Sequence, residues 1–423
     1  MVNKKNIVIV GGGASALMLA CSLDANKFNI FIYEKNGALA RKFLVAGKGG
    51  FNLTHSEDLH QFAERYSPKN FIEPFLNHFS NTDFRNWLKQ IGVETYVGTS
   101  KRVFPVKGIK PIEVLKAIEA VLVKNNISIY YNHEWKGWSN EQLVFQTSNN
   151  QTSNITTDIV VFALGGASWK VTGSDGNWTN YFKEKGIATN TFYPSNCAYQ
   201  VNWNPAFIKT HQGIPLKNCE FTCGTISRKG EAVITEFGIE GSGIYPLSPE
   251  IRKQLISPNI SHPELVSGSH EMLKQVQHDE AAKLYIDFKP DLSLEEIKNR
   301  LENKGKSSIK AILEKKINLS AAQIELLKIS SSKENYNDVQ FLSQLIKSYP
   351  LNLVGFAPMD EAISTVGGIV LDEVTDNLEF KKLPNHYCLG EMLDWDAPTG
   401  GYLLQGCFSM GKFLADKLNE KTV

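Results

Sequence analysis

The sequence predicts an α/β fold with a parallel sheet at its centre, and three observations support that prediction. Residues 6–10 (Asn-Ile-Val-Ile-Val) form a short apolar, β-branched run of the kind that is buried on both faces in a parallel sheet. A glycine-rich turn and a helical pattern follow directly. A second apolar run, residues 29–33, then ends at an acidic residue. This order of strand, turn, helix and strand is that of a βαβ unit.

The turn after the first strand, residues 11–16, reads Gly-Gly-Gly-Ala-Ser-Ala. It matches the pattern G-x-G-x-x-G/A in the context that this pattern requires, after a strand and before a helix. Gly11 permits the sharp turn, Gly13 lets a diphosphate approach the backbone, and Ala16 lets the helix pack closely on the strand. The first amides of the helix then face the phosphates. The turn therefore predicts a Rossmann-type domain that binds a dinucleotide.

Glu34 ends the second strand, about 23 residues after Gly11. A carboxylate at that place suits hydrogen bonds to the ribose hydroxyls of adenosine and disfavours a 2′-phosphate. The alternative interpretation of the turn, a structural glycine-rich loop, leaves Glu34 unexplained.

Three further segments favour FAD over NAD as the dinucleotide. Residues 40–54 form a basic, glycine-rich loop after the ribose-binding strand, and residues 157–166 form an apolar strand that ends in paired glycines. Residues 386–391 (His-Tyr-Cys-Leu-Gly-Glu) precede a third glycine pair, and a helix then runs to about Leu418.

These segments resemble the BaiN/YhiN-type family of FAD-dependent flavoproteins through nearly the whole chain, except residues 255–345. The resemblance is closest to an uncharacterised branch of that family. The motifs that support it are Ala40-Arg41-Lys42, residues 47–54, Arg102-Val103-Phe104-Pro105, residues 164–169, residues 172–176, Gly390-Glu391 and Gly400-Gly401-Tyr402.

The resemblance implies an FAD site assembled from both ends of the chain. Together with the turn chemistry, it assigns cofactor binding to Gly11, Gly13, Ala14, Ser15, Ala16, Glu34, Lys35, Arg41, Lys42, Gly47, Lys48, Gly49, Gly50, Asn52, Leu53, Ala163, Gly165, Gly166, Gly390, Glu391, Asp396, Gly400, Gly401 and Tyr402. The final helix would place its positive dipole end near the anionic edge of a reduced flavin.

Several of these assignments have a structural alternative. Arg41 and Lys42 are also interpretable as solvated surface charge, and Gly165-Gly166 as an ordinary turn at a strand end. Arg102 is interpretable as one half of a structural ion pair. Lys48 departs from the pattern of many relatives, so its contact with the cofactor stays open.

Domain organisation follows from changes of pattern along the chain. The prediction is a Rossmann-type FAD-binding domain at 1–190 and 350–423, an inserted antiparallel β domain at 191–255 and a small helical subdomain at 283–349. Residues 256–282 differ in composition from their flanks and predict a surface insertion. They carry three histidines eight residues apart, which is not the i, i+4 spacing of helical zinc ligands, so no metal is expected.

Composition indicates which partners and which cellular compartment to expect. The 45 basic and 44 acidic side chains give a net charge of +1, which makes nucleic acid an unlikely partner. Six scattered cysteines suit a reducing compartment, and positions 219 and 223 lie too far apart on an extended strand to bridge. The glycines of the first turn interrupt the run that resembles a signal peptide. We expect a cytoplasmic protein that does not enter the membrane.

These observations predict an FAD-dependent oxidoreductase, with the reduction of an unsaturated small organic substrate by NADH or NADPH as the favoured reaction. Only one dinucleotide turn is present, so a nicotinamide would bind transiently at the flavin face. The alternatives are an FAD-dependent tRNA-modifying enzyme and a non-catalytic flavin-binding redox sensor. The sequence identifies no catalytic acid or base, no substrate and no oligomeric state.

Overall fold

The chain was analysed as a computed structural model that describes residues 4–45, 51–256, 281–303, 305 and 307–421. It divides into two compact units. The first combines Met1–Pro194 with Ile363–Val423, and the second is Ser195–Ala362. The first unit is therefore discontinuous in sequence.

The amino-terminal part of the first unit alternates strands and helices. Its strands are β1 (Lys5–Val10), β2 (Phe28–Glu34), β3 (Thr54–His55), β4 (Thr95–Val97), β5 (Arg102–Pro105), β6 (Ser128–Tyr131), β7 (His133–Ser139), β8 (Gln142–Thr147), β9 (Thr152–Ile155), β10 (Ile159–Phe162) and β11 (Thr189–Ser195). Its helices are α1 (Ala14–Ser22), α2 (Arg41–Val45), α3 (Leu59–Ala63), α4 (Lys69–His78), α5 (Asn81–Gln90), α6 (Pro111–Lys124) and α7 (Thr179–Glu184).

The second unit contains a large antiparallel sheet and a run of helices. Its strands are β12 (Tyr199–Gln200), β13 (Pro215–Cys223), β14 (Ile226–Ile234), β15 (Gly238–Glu240), β16 (Ala282–Asp287), β17 (Tyr349–Leu353) and β18 (Gly355–Phe356). Its helices are α8 (Pro205–His211), α9 (Ser248–Leu255), α10 (Leu294–Glu302), α11 (Ile309–Lys315), α12 (Ala321–Ile329), α13 (Lys333–Asn337) and α14 (Val339–Lys347).

The chain then returns to the first unit through β19 (Ser364–Ile369), β20 (His386–Cys388) and α15 (Tyr402–Lys421). β20 pairs in parallel with β10, so the chain end completes a five-stranded sheet in the order β20-β10-β1-β2-β6. α15 crosses α1 at Gly411, where an added Cβ would lie 2.5 Å from the Ser15 carbonyl oxygen. Only glycine allows the two helices to approach so closely.

All four strand pairs of this central sheet are parallel, so the carboxyl ends of the strands share one edge. The residues of β10 are buried throughout, as are the last four of β1. The small antiparallel sheet β7-β8-β9 packs against the central sheet, with ring centroids 4.7 Å apart for Trp135 and Phe162 and 4.2 Å apart for Phe145 and Tyr33. Ligands of such folds bind at the carboxyl edge. The turns after Val10, Glu34, Phe162 and Cys388 all meet there, and the expected α/β fold with a Rossmann-type sheet is confirmed.

The sheet of the second unit is longer than the sequence pattern indicates. Seven antiparallel strands follow the order β17-β16-β13-β14-β15-β12-β18. β16 comes from the range 283–349 that was assigned to helices, and β17 and β18 come from the range assigned to the FAD-binding domain. In β17, every second residue is buried, which is the pattern of a strand with one exposed face. Within this sheet, the chain turns at Gly224 from β13 into β14 and forms a hairpin.

The insertion predicted at 256–282 lies almost entirely outside the described residues, and so do its three histidines. Its last residue, Ala282, is buried and begins β16. Cys219 and Cys223 are free thiols on β13, and burial raises the pKa of each to about 11. Across the described ranges, no helix combines the length and the apolar character that a membrane span needs.

Candidate functional site

The first turn of the site joins β1 to α1. Gly11 has φ +101°, and an added Cβ would lie 2.4 Å from the Ala163 carbonyl oxygen. Both the backbone conformation and the close approach of the strand-end loop therefore require glycine. At Gly12, an added Cβ would lie 2.4 Å from a methyl carbon of Leu39. The turn is packed against protein on two sides.

Gly13, by contrast, faces open space, since no atom lies within 4 Å of an added Cβ. It is the N-cap of α1 and supplies no side-chain cap, so the first amides of the helix have no capping side chain. Those amides belong to Ala14, Ser15 and Ala16. An uncapped helix N-terminus behind an open glycine has the geometry that a diphosphate needs.

Glu34 lies beside this turn, and its side chain is almost fully buried. One carboxylate oxygen accepts a hydrogen bond from the Gly12 amide at 2.8 Å. The other accepts bonds from the Asn36 amide at 2.8 Å and from its Nδ2 at 2.7 Å. These donors fix the plane of the carboxylate at the end of β2. Carboxylate oxygens retain further acceptor positions for ribose hydroxyls.

Lys35 and Arg41, the next predicted residues, are held near Asn36. The Lys35 ammonium lies 2.8 Å from Asp175 in the loop before α7, and Arg41 donates to the Asn36 side-chain oxygen at 2.7 Å. Arg41 is exposed, so its assignment to surface charge stays open beside its assignment to the cofactor.

Lys42 and Glu391 form the central ion pair of this edge. The Lys42 ammonium lies 2.8 Å and 3.0 Å from the two Glu391 oxygens and also donates to Ser168 Oγ at 2.7 Å. Glu391 in turn accepts from the Thr365 amide at 3.1 Å, and the Thr365 hydroxyl accepts from the Ala167 amide. One network thus joins α2, β19 and the loops after β10 and β20.

The two glycines after β10 are each required for a different structural reason. Gly165 has φ +72°, and an added Cβ there would lie 2.9 Å from Ser174 Oγ. At Gly166, an added Cβ would lie 2.1 Å from Thr365 Oγ1 and 3.1 Å from the carboxylate carbon of Glu391. The absence of a side chain at Gly166 therefore lets the ion-pair network approach the backbone. An ordinary turn at a strand end does not explain a glycine at this position.

The turns after β20 approach the first turn and β3. At Gly390, with φ +85°, an added Cβ would lie 2.4 Å from Ser15 Oγ at the start of α1. Gly401, with φ +97°, packs against the backbone of Thr54, where an added Cβ would lie 2.5 Å from Cα. Asp396 is buried in the connecting loop and accepts the Ala397 amide through Oδ1.

Tyr402 begins α15, but its hydroxyl turns into the protein. It donates to Glu57 at 2.6 Å, and Arg65 donates to both oxygens of the same carboxylate at 3.1 Å and 3.0 Å. Burial acts to raise the pKa of Glu57, but the hydrogen bonds from Arg65 and Tyr402 and the arginine charge hold it below its ordinary value. Burial and the bond to Glu57 raise the pKa of Tyr402. The cluster ties the start of α15 to the region of β3.

Of the basic loop, Gly47, Lys48, Gly49 and Gly50 lie outside the described residues. Leu53 is fully buried and its amide donates to Val103, which makes it a core residue of the small sheet β3-β5-β4. Asn52 lies beside it, partly buried, directly before β3.

Sequence reasoning missed Gly12, Asn36, Ser168, Thr365 and Glu57. Each of them forms a hydrogen bond with the side chain of a predicted residue. Most are far in sequence from the residue they contact. Ser168 was inside a quoted motif, and Gly12 inside the first turn. Thr365 and Glu57 had no local signal.

The described parts of the site are joined by a series of close contacts. The series begins at Glu34, passes the open turn at Gly13 and continues to Glu391. At α15, Gly411 contacts the start of α1, so Tyr402, nine residues earlier, lies about 14 Å along the helix axis from the first turn. The Gly400–Gly401 turn is therefore separated along α15 from the contact with the first turn.

The chain is similar to known proteins along nearly its whole length. Residues 5–417 match the family model described as "HI0933-like protein Rossmann domain". The chain is 23% identical over 426 residues to the 3-dehydro-bile acid delta(4,6)-reductase of Clostridium scindens, covering 96% of this chain and 97% of that protein.

Two solved structures are similar over nearly the whole chain. One is the open conformation of a flavocytochrome c3 fumarate reductase, with a TM-score of 0.47 and 12% identity, covering 100% of this chain and 79% of that one. The other is the 3-ketosteroid delta1-dehydrogenase of Sterolibacterium denitrificans, with a TM-score of 0.46 and 12% identity, covering 99% and 100%.

Proposed function

The chain belongs to the HI0933-like family and is an FAD-dependent oxidoreductase. From that premise, we propose that it uses a reduced nicotinamide to reduce a carbon–carbon double bond that is conjugated to a carbonyl group in a small organic substrate. The observation that supports this reaction is the end-to-end similarity to the Clostridium scindens enzyme, which is named a reductase of a 3-dehydro-bile acid. A conjugated carbonyl makes the double bond electrophilic, so it can accept a hydride.

Four elements of the carboxyl edge would hold the FAD. Glu34 would accept the ribose hydroxyls, and the amides that follow Gly13 would bind the diphosphate. The Lys42–Glu391 pair would contact the polar linker between the diphosphate and the ring. Gly400 would let the ring lie against the start of α15. The contacts among these groups at the carboxyl edge support each assignment.

The bound FAD supplies a site that accepts a hydride from one molecule and passes it to another. The nicotinamide is thereby oxidised and the substrate gains the hydride and a proton, so the double bond becomes a single bond. The protein positions both reactants and shields the transfer from water. Glu57 and Tyr402 would contribute by fixing the start of α15, directly after the turn at Gly400, through their buried hydrogen bond.

The experiment that tests this proposal is an anaerobic reduction of the purified, FAD-loaded protein with NADH and, separately, with NADPH. We expect one nucleotide to bleach the visible flavin absorbance within seconds to minutes. Stepwise addition of cyclic enones, including a 3-oxo-4-ene steroid, should then restore the flavin colour under anaerobic conditions, and mass spectrometry should find the product heavier by two hydrogens.

Two outcomes would contradict the proposal. If dithionite bleaches the flavin but neither nucleotide does, the nicotinamide is not the donor. If a nucleotide bleaches the flavin but no enone restores its colour, the substrate class is wrong. Salt-sensitive copurification of tRNA in either case would favour the nucleic-acid alternative.

A further inference from the structure

Arg102 occupies a position beside the ring end of the site. It begins β5 and pairs across the sheet with His55 of β3. At Gly400, an added Cβ would lie 3.5 Å from Arg102 Nε and 3.3 Å from the Tyr402 ring. The half-buried guanidinium therefore lies against the glycine turn that opens α15.

The charge of Arg102 is not neutralised by the residues around it. In the described ranges, its guanidinium forms no ion pair or hydrogen bond with another residue. The nearby carboxylate of Glu57 is occupied by two hydrogen bonds from Arg65 and one from Tyr402. The pKa of His55 is lowered chiefly by burial, with the Arg102 charge contributing, and an imidazole supplies no negative charge in either protonation state. The structural ion pair that the sequence left open for Arg102 is not found among the described residues.

A partly buried guanidinium without a hydrogen-bond acceptor or anionic partner destabilises the protein, unless a bound ligand supplies that partner. Two features at this place favour an anionic group. The positive end of the 20-residue helix α15 lies at the same turn, and glycine at position 400, with φ +111°, leaves room for a flat group to approach the backbone.

We propose that the Arg102 guanidinium contacts the pyrimidine edge of the FAD ring, at N1 and the C2 carbonyl oxygen, and stabilises the negative charge that reduction places there. The inference rests on the FAD site and on the order of its parts, and is independent of the hydride donor and of the organic substrate. Arg102 is therefore a residue that sets the reduction potential of the cofactor.

The contact would favour reduced FAD because reduction adds negative charge to the flavin. Addition of two electrons and one proton to a bound flavin would leave one negative charge on its pyrimidine edge, which Arg102 would face. A fixed cation at that edge binds the reduced form more strongly than the oxidised form. The ratio of the two affinities determines the shift of the midpoint potential, and a tenfold ratio in a two-electron couple equals about 30 mV.

The test is the midpoint potential of the bound FAD in R102M, R102K and the unchanged protein. Each is reduced slowly by xanthine and xanthine oxidase in the presence of a reference dye, so that no natural substrate is needed. We expect R102M to lower the potential, with a loss of roughly tenfold in the preference for reduced FAD, or about 30 mV. R102K keeps the positive charge but loses the planar group that can donate two parallel hydrogen bonds. Its midpoint potential should therefore lie between those of R102M and the unchanged protein.

The matched control is R85M. Arg85 belongs to the same unit and donates to Thr95 Oγ1 at 3.2 Å, so its removal changes the net charge equally without touching the Gly400 turn. Its potential should equal that of the unchanged protein. If R102M purifies without FAD, the affinities of R102M and R102Q for oxidised and reduced FAD give the same ratio by linkage.

An unchanged affinity ratio in R102M and R102Q would overturn the proposal. If the potential stays constant while KM for an anionic substrate rises, Arg102 binds the substrate and not the flavin. An equal fall of potential in R85M and R102M would also overturn it, since the effect would then be that of net charge alone.

Discussion

The Lys42 ammonium lies within hydrogen-bonding distance of both carboxylate oxygens of Glu391, although 349 residues separate the two in the chain. The Glu391 side chain is 8% exposed and that of Lys42 is 27% exposed, so the pair is shielded from solvent more than a surface salt bridge is. It links α2, near the start of the chain, to the turn after β20. This contact closes the carboxyl edge of the sheet.

Replacing Lys42 by methionine should destabilise the protein by about 1–3 kcal/mol, because the Glu391 carboxylate loses its charged donor while remaining buried. Lys35→Met is the matched control, since its ion pair with Asp175 is more exposed on both sides and should contribute about 0.2–1 kcal/mol. Urea unfolding of both FAD-free variants measures the difference. Equal losses would show that burial of Glu391 adds nothing to the pair.

Replacing Glu34 by alanine should weaken FAD binding by about 1.5–3 kcal/mol, because charge-assisted hydrogen bonds to the ribose are removed. The dissociation constant, followed by quenching of FAD fluorescence, should rise by a factor of roughly 10–150. Glu94→Ala removes an exposed carboxylate of the same unit and should leave that constant unchanged. An unaltered constant in Glu34→Ala would remove this residue from the site.

Gly13→Val should give a folded protein without FAD. The φ of −82° at Gly13 suits a branched side chain, and no protein atom lies within 4 Å of the added Cβ, so folding has no obstacle. The valine methyl groups would instead occupy the space that a diphosphate needs. Circular dichroism tests whether the variant folds, and the flavin-to-protein absorbance ratio tests whether it binds FAD. A variant that purifies with a full complement of FAD would exclude this turn as the diphosphate site.

Gly11→Ala should be more destabilising than Gly108→Ala, although the two backbones have nearly the same φ, +101° and +104°. Both substitutions carry the conformational cost of about 1–2 kcal/mol for a positive φ. Only at Gly11 does the new methyl group also overlap a backbone oxygen, that of Ala163, and the turn must open to relieve it. Thermal unfolding of the two variants compares them directly, and equal midpoints would show that the overlap is relieved without cost.

Glu57 should make stability depend on pH under acid conditions. Its folded pKa is held below the unfolded value of about 4.3, so its contribution is complete above that pH and is lost as the pH falls through the lower, folded value. The free energy of unfolding should therefore fall more steeply between about pH 5 and pH 3 in the unchanged protein than in Glu57→Gln. Glu94→Gln, at an exposed position, should retain the steep fall. Parallel curves for all three proteins would contradict this role.

The sequence predicts those parts of the fold whose signals are local. The first turn and Glu34 lie on a short motif with fixed spacing, and the structure brings them together because β1 and β2 are parallel neighbours whose carboxyl ends align. The boundaries of β1 and β2 differ from those expected by one residue at most at each end, since runs of apolar residues define them.

Other features depend on residues that are distant in sequence. Thr365 has no motif of its own, and its role follows only from the position of Glu391. The strands β16 and β17 flank the helices α10–α14, and the helical periodicity between them gives no sign that they pair with each other. Likewise, the orientation of the Tyr402 hydroxyl is set by Glu57, which local patterning around residue 402 does not include.

The Lys42–Glu391 contact also has a consequence for biogenesis. The ribosome releases the diphosphate turn and Lys42 long before Glu391, β20 and α15, with the whole second unit translated in between. The proposed FAD site therefore has only one of its two parts while the second unit is being translated. We expect FAD to bind after α15 has been made, which pulse-labelling of the flavin content of nascent and released chains would test.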